Sequence, residues 1–233
     1  KKKGAYRDVT RHRMHALCPG MSGKSHYTGR RRSMTDSNRS ILICGVGGQG
    51  TVLAAKLIAQ AALAKGISVR SAETIGMAQR GGSVVSHVRL GHAFSPLIPF
   101  GCADVMIAFE PCEAVRNIAY LKEDGIIAVS SKTVQPVTAS LSGAAFSSYD
   151  MISFLKQHAS RVIVLDTDEL CASLGSSKAA NTLLLGAAVS SGMLGLTMDD
   201  IRSALSLLVK PEFVSLNEKE NTKGKNEHAE RDG

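Results

Sequence analysis

The sequence predicts an α/β fold: a Rossmann-like, three-layer domain on a mostly parallel, mixed sheet. Three observations predict it. Short apolar runs alternate with helix-length apolar segments through most of the 233 residues, which is the rhythm of βαβ units. The first run, Ile41–Cys44, passes directly into Gly45-x-Gly47-x-x-Gly50 and then into a helix candidate; strand, glycine turn and helix is the context that gives such a fingerprint meaning. The hydrophobic fraction, 44%, is ample for the core of one domain of this length.

The elements follow in order. Strand one is Ile41–Cys44. The Ala- and Leu-rich segment Thr51–Lys65 reads as a helix that is apolar on more than one stripe, with Gly66 as its C-terminal stop. Ile67–Ala72 alternates as a second strand and ends at Glu73. Residues Ile75–Ser83 form a glycine-rich loop. Val84–Leu90 alternates cleanly, with Val84, Ser86, Val88 and Leu90 on one face and Val85, His87 and Arg89 on a more polar one. It follows strand two too closely for a crossover helix, so it is expected to pair antiparallel or to lie at a sheet edge.

Ser95-Pro-Leu-Ile-Pro99 lies in an extended loop, and Val105–Phe109 is a buried strand. Pro111 suits the first position of a helix over Pro111–Leu121, with Glu110 and Glu113 as charges at its start. Gly125–Ser130 and Arg161–Leu165 read as strands, 132–149 as a long loop, and Asp150–Gln157, Asp168–Leu174, Ala179–Leu194 and Asp199–Val209 as helices. Asp168 is the expected N-cap of its helix, and Thr197 or Met198 lies near that of the last one. The all-round apolar helices Thr51–Lys65 and Ala179–Leu194 suit a subunit interface.

Charge divides the chain. The net charge is +8, yet residues 1–39 hold eleven Lys/Arg and two acids, so the remainder is close to neutral. Residues 1–37 are therefore read as a basic N-terminal extension, 38–215 as the domain and 216–233 as a polar tail. The extension has no long apolar run and matches neither a secretory signal nor a membrane span. Met34, a few residues before the first strand, has the position of a natural start. A disordered arm and a transit-like peptide are the other readings of 1–33. Gly23-Lys24-Ser25 has Cys18 where a phosphate-binding P-loop needs glycine, and no strand precedes it.

The chain has no Trp and only 4% aromatic residues, which argues against a stacking platform for single-stranded nucleic acid. Its five cysteines (Cys18, Cys44, Cys102, Cys112, Cys171) form no C-x-x-C, so a cluster or a structural zinc site within the chain is not expected. The odd count points to reduced thiols and a cytoplasmic setting.

The chemistry concentrates at the glycine turn. Gly45, Gly47, Gly48, Gln49 and Gly50 place backbone N–H groups and a helix N-terminus where a phosphate or carboxylate could sit. A dinucleotide site would also need an acid near the end of strand two, and Glu73 is roughly there. Tight strand–helix packing is the alternative account of the same glycines. No nucleophile–base set stands out. Asp166, Asp168 and Glu169 follow a strand and read as caps or, less simply, as cation ligands.

Four strings occur in order: Gly45-Val-Gly-Gly-Gln-Gly50, Gly76-Met-Ala-Gln-Arg-Gly-Gly-Ser-Val-Val-Ser-His-Val-Arg89, Ser95-Pro-Leu-Ile-Pro99, and Ala103-Asp104 followed by Ala108-Phe-Glu-Pro111. Together they closely resemble the gamma-type subunit of the 2-oxoacid:ferredoxin oxidoreductase family, over about residues 38–215, and in particular the branch acting on arylpyruvates. The resemblance implies a subunit of an enzyme that decarboxylates indolepyruvate and related arylpyruvates with coenzyme A. The products are aryl-acetyl-CoA and CO2, and two electrons pass to ferredoxin.

The resemblance further implies that thiamine diphosphate, its Mg and the 4Fe-4S clusters sit in a larger alpha subunit and that this chain carries no cofactor or metal. Ferredoxin would be met through the alpha subunit, in a heterotetramer of two alpha and two beta chains with no membrane or nucleic-acid role. The chain agrees in lacking the Gly-Asp-Gly string of a thiamine site, its nearest being Glu123-Asp124-Gly125. No catalytic residue is assigned; Gln79, Arg80, His87 and Arg89 are candidates for support, Arg80 through bidentate pairing with an anion. The glycine turn would meet coenzyme A phosphate or the partner. Gamma subunits acting on pyruvate, 2-oxoglutarate or branched 2-oxoacids, and a stand-alone NAD(P)-binding Rossmann protein, are the alternatives.

Overall fold

The computed structural model describes residues 38–75, 82–134, 147–174 and 180–208. The basic extension, Met34, Gln79, Arg80 and the C-terminal tail lie outside the described residues.

The described elements run β1 (Arg39–Val46), α1 (Thr51–Ala64), β2 (Val69–Ile75), β3 (Ser83–Leu90), β4 (Ala103–Ala108), α2 (Pro111–Asn117), β5 (Leu121–Ser130), α3 (Ser148–His158), β6 (Arg161–Leu165), α4 (Thr167–Leu174), α5 (Ala180–Ser190) and α6 (Met198–Leu208). They form one six-stranded mixed sheet in the order β2-β3-β1-β4-β5-β6. β1, β4, β5 and β6 are parallel, whereas β3 runs antiparallel to both β1 and β2. The expected antiparallel strand thus lies inside the sheet, and β2 takes the edge.

Alternation along the central strands divides the core. Ile41, Ile43, Val105 and Ile107 face a layer of α1, α4, α5 and α6 through Leu57, Ile58, Leu170, Leu183, Leu184 and Ile201. Leu42, Cys44, Met106 and Ala108 face the other way, onto Ala114 of α2 and Leu155 of α3. Near-continuous apolar strands covered on both faces are what a parallel sheet requires.

Three boundaries shift for local reasons. The helix beginning at Pro111 ends at Asn117, tightens into a 3-10 turn over Ile118–Tyr120, and leads straight into a ten-residue β5. The expected strand at Gly125 therefore starts at Leu121, with a register shift against β4 between Ala103 and Val105. α4 is capped by Asp166, whose Oδ1 accepts from Glu169 N at 3.1 Å, and not by Asp168, which pairs with Lys132 at the surface. Thr197 and Asp200 form reciprocal bonds at the start of α6, Asp200 N to Thr197 Oγ1 at 3.2 Å and Thr197 N to Asp200 Oδ2 at 2.7 Å, a capping box built with Asp.

One of the two apolar helices has a simpler account than a subunit interface. Every residue of α5 from Asn181 to Val189 is buried within the chain itself, so the fold already accounts for its all-round apolarity. No helix among the described residues is long and apolar enough to cross a membrane.

Candidate functional site

β1 and β4 are adjacent and parallel, but their following helices pack on opposite faces of the sheet: α1 on one, α2 on the other. The carboxyl ends of two such strands open a crevice, the usual ligand position in an open α/β sheet. The glycine turn forms one wall of it, and Glu110, Cys112 and Glu113 at the start of α2 form the other.

The turn is closely built. Val46 N donates to Gln49 Oε1 at 2.7 Å, and Gln49 N to Val46 O at 3.1 Å. Gly47 N donates to Gly82 O at 2.8 Å, fastening the turn to the residue before β3. A Cβ on Gly45 would stand 2.8–2.9 Å from Gln49 Oε1, Phe109 Cβ and Thr51 Cγ2. Gly45 is thus required by packing, and Gln49 spends its amide oxygen inside the turn. Among the described residues no side chain caps the start of α1: its N-cap, Gly50, supplies no side-chain bond, and its first turn has no acid. Such a helix start attracts anions.

The facing wall is acidic; three of the four carboxylate oxygens of Glu110 and Glu113 are bonded, and Glu110 Oε1 is buried without a hydrogen-bond partner among the described residues. Glu110 is buried and caps α2, accepting from Glu113 N at 2.9 Å. Burial raises its pKa above the usual carboxyl value, against the lowering effect of the Glu113 backbone N–H. Glu113, also buried, accepts from Ser83 Oγ at 2.5 Å and from Arg116 at 2.8 Å. Glu110, Cys112 and Glu113 bring ligand-type atoms within 4.8 Å of one another. However, both Glu113 oxygens are already engaged and Arg116 supplies a positive charge, so the set reads as a cap with an ion pair.

No thiol here is poised as a nucleophile. Burial pushes the Cys44 thiol far above its ordinary range, with the nearby Glu113 and Glu110 adding to the effect. Burial also raises Cys112, although Arg116 partly opposes it.

The other sequence candidates lie elsewhere. Gly45 is opposite Val84, His87 opposite Leu42 and Arg89 opposite Ser40, so His87 and Arg89 sit roughly 10 and 17 Å down the sheet from the turn at about 3.4 Å per residue. His87 is not on a polar face: it is 4% exposed, accepts from Ile98 N through Nδ1 at 3.3 Å, and meets the Tyr120 ring edge-on. Burial lowers its pKa. Arg89 donates to the carbonyl of Ser95 at 3.2 Å, shaping the loop after β3. Glu73 is opposite Ser86, and Ser86 opposite Ile43, so a whole strand separates it from β1.

Two site residues escaped the sequence reading. Ser83 anchors the start of β3 to Glu113. Asn181, 9% exposed in the first turn of α5, packs against Gly50. A lone Asn-Thr pair opening an otherwise apolar helix was the available signal for the second.

A family model described as pyruvate ferredoxin/flavodoxin oxidoreductase matches residues 40–226. The chain is 36% identical over 179 residues to indolepyruvate oxidoreductase subunit IorB of Archaeoglobus fulgidus, covering 76% of this chain and 89% of that one. It is 35% identical over 183 residues to the subunit of the same name in Pyrococcus horikoshii, covering 77% and 91%. Among solved structures, the gamma subunit of a keto/oxoacid ferredoxin oxidoreductase from Geobacter sulfurreducens shares the fold, with a TM-score of 0.61 at 22% identity, covering 82% of this chain and 99% of that one.

Proposed function

The chain belongs to the pyruvate ferredoxin/flavodoxin oxidoreductase family, and from that premise we propose that it is the small subunit of an arylpyruvate-oxidising complex, with indolepyruvate as the leading substrate. The observation carrying this reading is similarity to IorB chains along nearly their whole length. The reaction joins a 2-oxoacid anion and coenzyme A thiol to give an acyl thioester, CO2, one proton and two electrons, which reduce two ferredoxins. The complex contains an alpha subunit holding thiamine diphosphate, Mg and 4Fe-4S clusters, as two alpha and two beta chains in the cytoplasm.

Within this chain, residues 38–215 form the working domain. The glycine turn, Gly45–Gly50, holds a phosphate of coenzyme A, a role supported by the uncapped start of α1. The donors there are backbone N–H groups, which suit phosphate oxygens. Gln79 and Arg80 are assigned support of the same chemistry, Arg80 through bidentate pairing with an anion, while His87 and Arg89 support the fold from below.

The test is co-expression with the alpha subunit and assay with indolepyruvate, coenzyme A and an artificial electron acceptor. Thioester formation that requires both chains is expected. Equal turnover by the alpha subunit alone would refute the reading. Preference for pyruvate, 2-oxoglutarate or a branched 2-oxoacid would move the chain to another branch of the family.

A further inference from the structure

Three side chains at the start of α2, Glu110, Cys112 and Glu113, bring metal-ligating atoms within 4.8 Å of one another. The two carboxylates divide their oxygens in the same way. Oε2 of each serves the fold: that of Glu110 accepts from Glu113 N at 2.9 Å, and that of Glu113 from Ser83 Oγ at 2.5 Å. Oε1 of each is left to a cation.

Glu113 Oε1 already has one. Arg116 Nη1 donates to it at 2.8 Å, and the same side chain hydrogen-bonds Cys112. The guanidinium thus serves two of the three groups. Its side chain is 55% exposed, against 4% for that of Glu113, so it can swing into solvent while the carboxylate stays in place. Glu110 is different. Backbone N–H groups of Glu113, Val134 and Cys112 favour its ionised form, yet Oε1 is buried without a hydrogen bond among the described residues, in a residue only 1% exposed. A buried carboxylate oxygen with nothing to accept is costly, and a metal ion satisfies it. Cys112, half-buried, leaves the set open to solvent.

We propose that Glu110 Oε1, Cys112 Sγ and Glu113 Oε1 form a site for one divalent cation of borderline softness, with Zn2+ as the fitting ion. Two carboxylates and a thiolate are ligands such an ion takes, with water in the fourth tetrahedral position. Bond lengths of about 2.0–2.3 Å set neighbouring ligands roughly 3.5 Å apart, so the three groups close by on the order of 1 Å. Both Oε2 bonds are kept. Arg116 releases Glu113 Oε1 and stays beside a set that remains negative with the dication in place. The family resemblance implies no metal in this chain; the site rests on these side chains alone and is independent of the 2-oxoacid the complex uses.

The test is titration of the full, metal-free chain with Zn2+ in competition with a chromogenic chelator. Cd2+ is the second probe, because its bond to a thiolate absorbs in the ultraviolet. Glu110→Gln keeps an oxygen for Glu113 N and removes the charge; Cys112→Ser removes the thiolate from a half-buried position. Each is expected to weaken one Zn2+ equivalent at least tenfold, and Cys112→Ser to remove its Cd2+ absorption. Arg116→Gln, which removes the competing cation, should tighten the same equivalent several-fold. Zn2+ should raise the thermal midpoint of wild type and leave that of Cys112→Ser nearly unchanged.

No Zn2+ binding by wild type, or binding that Cys112→Ser and Glu110→Gln leave unchanged, overturns the site. Weaker binding in Arg116→Gln overturns the exchange of Arg116 for the metal. Because chelator competition needs no turnover, failure of the arylpyruvate reaction is a separate result.

Discussion

Ser83 Oγ donates to Glu113 Oε2 across 2.5 Å, joining the first residue of β3 to a buried acid on α2. The same acid holds Arg116, and the residue before Ser83 receives the N–H of Gly47. Both ends of the crevice are thereby fastened to one strand start. Glu113→Ala would leave the Ser83 hydroxyl and Arg116 without their partner. A loss of about 1–3 kcal/mol is expected, against a smaller one for Glu113→Gln, which can still accept from Ser83. Denaturant unfolding of the two variants measures the difference; equal losses would show that the bond to Ser83 contributes nothing.

The glycine turn makes a sharper steric prediction. A methyl group at Gly45 meets three atoms at 2.8–2.9 Å, one of them the Cβ of Phe109, whereas at Gly48 it meets nothing within 4 Å. Gly48 instead has φ 97°, so alanine there is strained without crowding. Gly45→Ala is expected to lose about 1–3 kcal/mol through overpacking, and Gly48→Ala about 1–2 kcal/mol through backbone strain. Restoring room by Gln49→Ala should recover part of the first loss and none of the second. A double-mutant cycle on thermal unfolding tests this.

Acid should loosen the lower end of the sheet through His87. Its ring is buried, accepts the Ile98 N–H at Nδ1, and has a pKa lowered from the ordinary 6.5 by that burial. The folded state then binds fewer protons than the unfolded state, so this stability is full above about pH 6.5 and is lost as pH falls toward the depressed value. Glu110 works oppositely and lower: burial raises it from 4.5, so its contribution is greatest in acid and declines as pH rises through the raised value. His87→Gln, which can still accept from Ile98, should flatten the stability–pH curve just below pH 6.5. An unchanged curve would assign the slope to another group.

The helix–sheet rhythm was legible because central strands such as Ile41–Cys44 and Val105–Ala108 are buried on both faces and so read as unbroken apolar runs. The antiparallel direction of β3 was legible from the short connection before it. Its place between β1 and β2 was not, because strand order depends on long-range pairing. At the site, the glycine string marked the turn, but His87 misled: alternation put it with Arg89 on a polar face, while Tyr120 and the Ile98 loop bury it. Asn181 lies more than one hundred residues from Gly50 and carries no local signature of contact with it.

Asp200 ties α6 to α1. It accepts from Lys65 Nζ at 2.8 Å and from Thr197 N at 2.7 Å. Burial opposes its ionisation, but Lys65 and Thr197 outweigh that and hold its pKa below the ordinary 3.8. The stabilisation is therefore present above about pH 3.8 and is lost as pH falls below it. Asp200→Asn keeps an oxygen for Thr197 N and removes the charge, so it should lose about 0.5–1 kcal/mol at neutral pH. Lys65→Met should lose a similar amount, and the double variant little more than either. Additive losses would show that the pair is uncoupled.

The topology also bears on a nicotinamide cofactor. In a dinucleotide fold the acid that holds the ribose lies on the strand next to the glycine turn. Here Glu73 lies on edge strand β2, level with Ile43 but with β3 between them, roughly 10 Å away at two strand spacings. Binding the pyrophosphate at the turn would leave the ribose beyond that carboxylate. The purified chain is therefore expected to show no saturable enhancement of NADH fluorescence at concentrations from about 1 μM to 1 mM, the span of ordinary substrate affinities. The lack of Trp keeps energy transfer from the protein out of the signal. Saturable binding that Glu73→Ala abolishes would reinstate the dinucleotide reading. Binding that Glu73→Ala leaves intact would mean that only the phosphates are recognised.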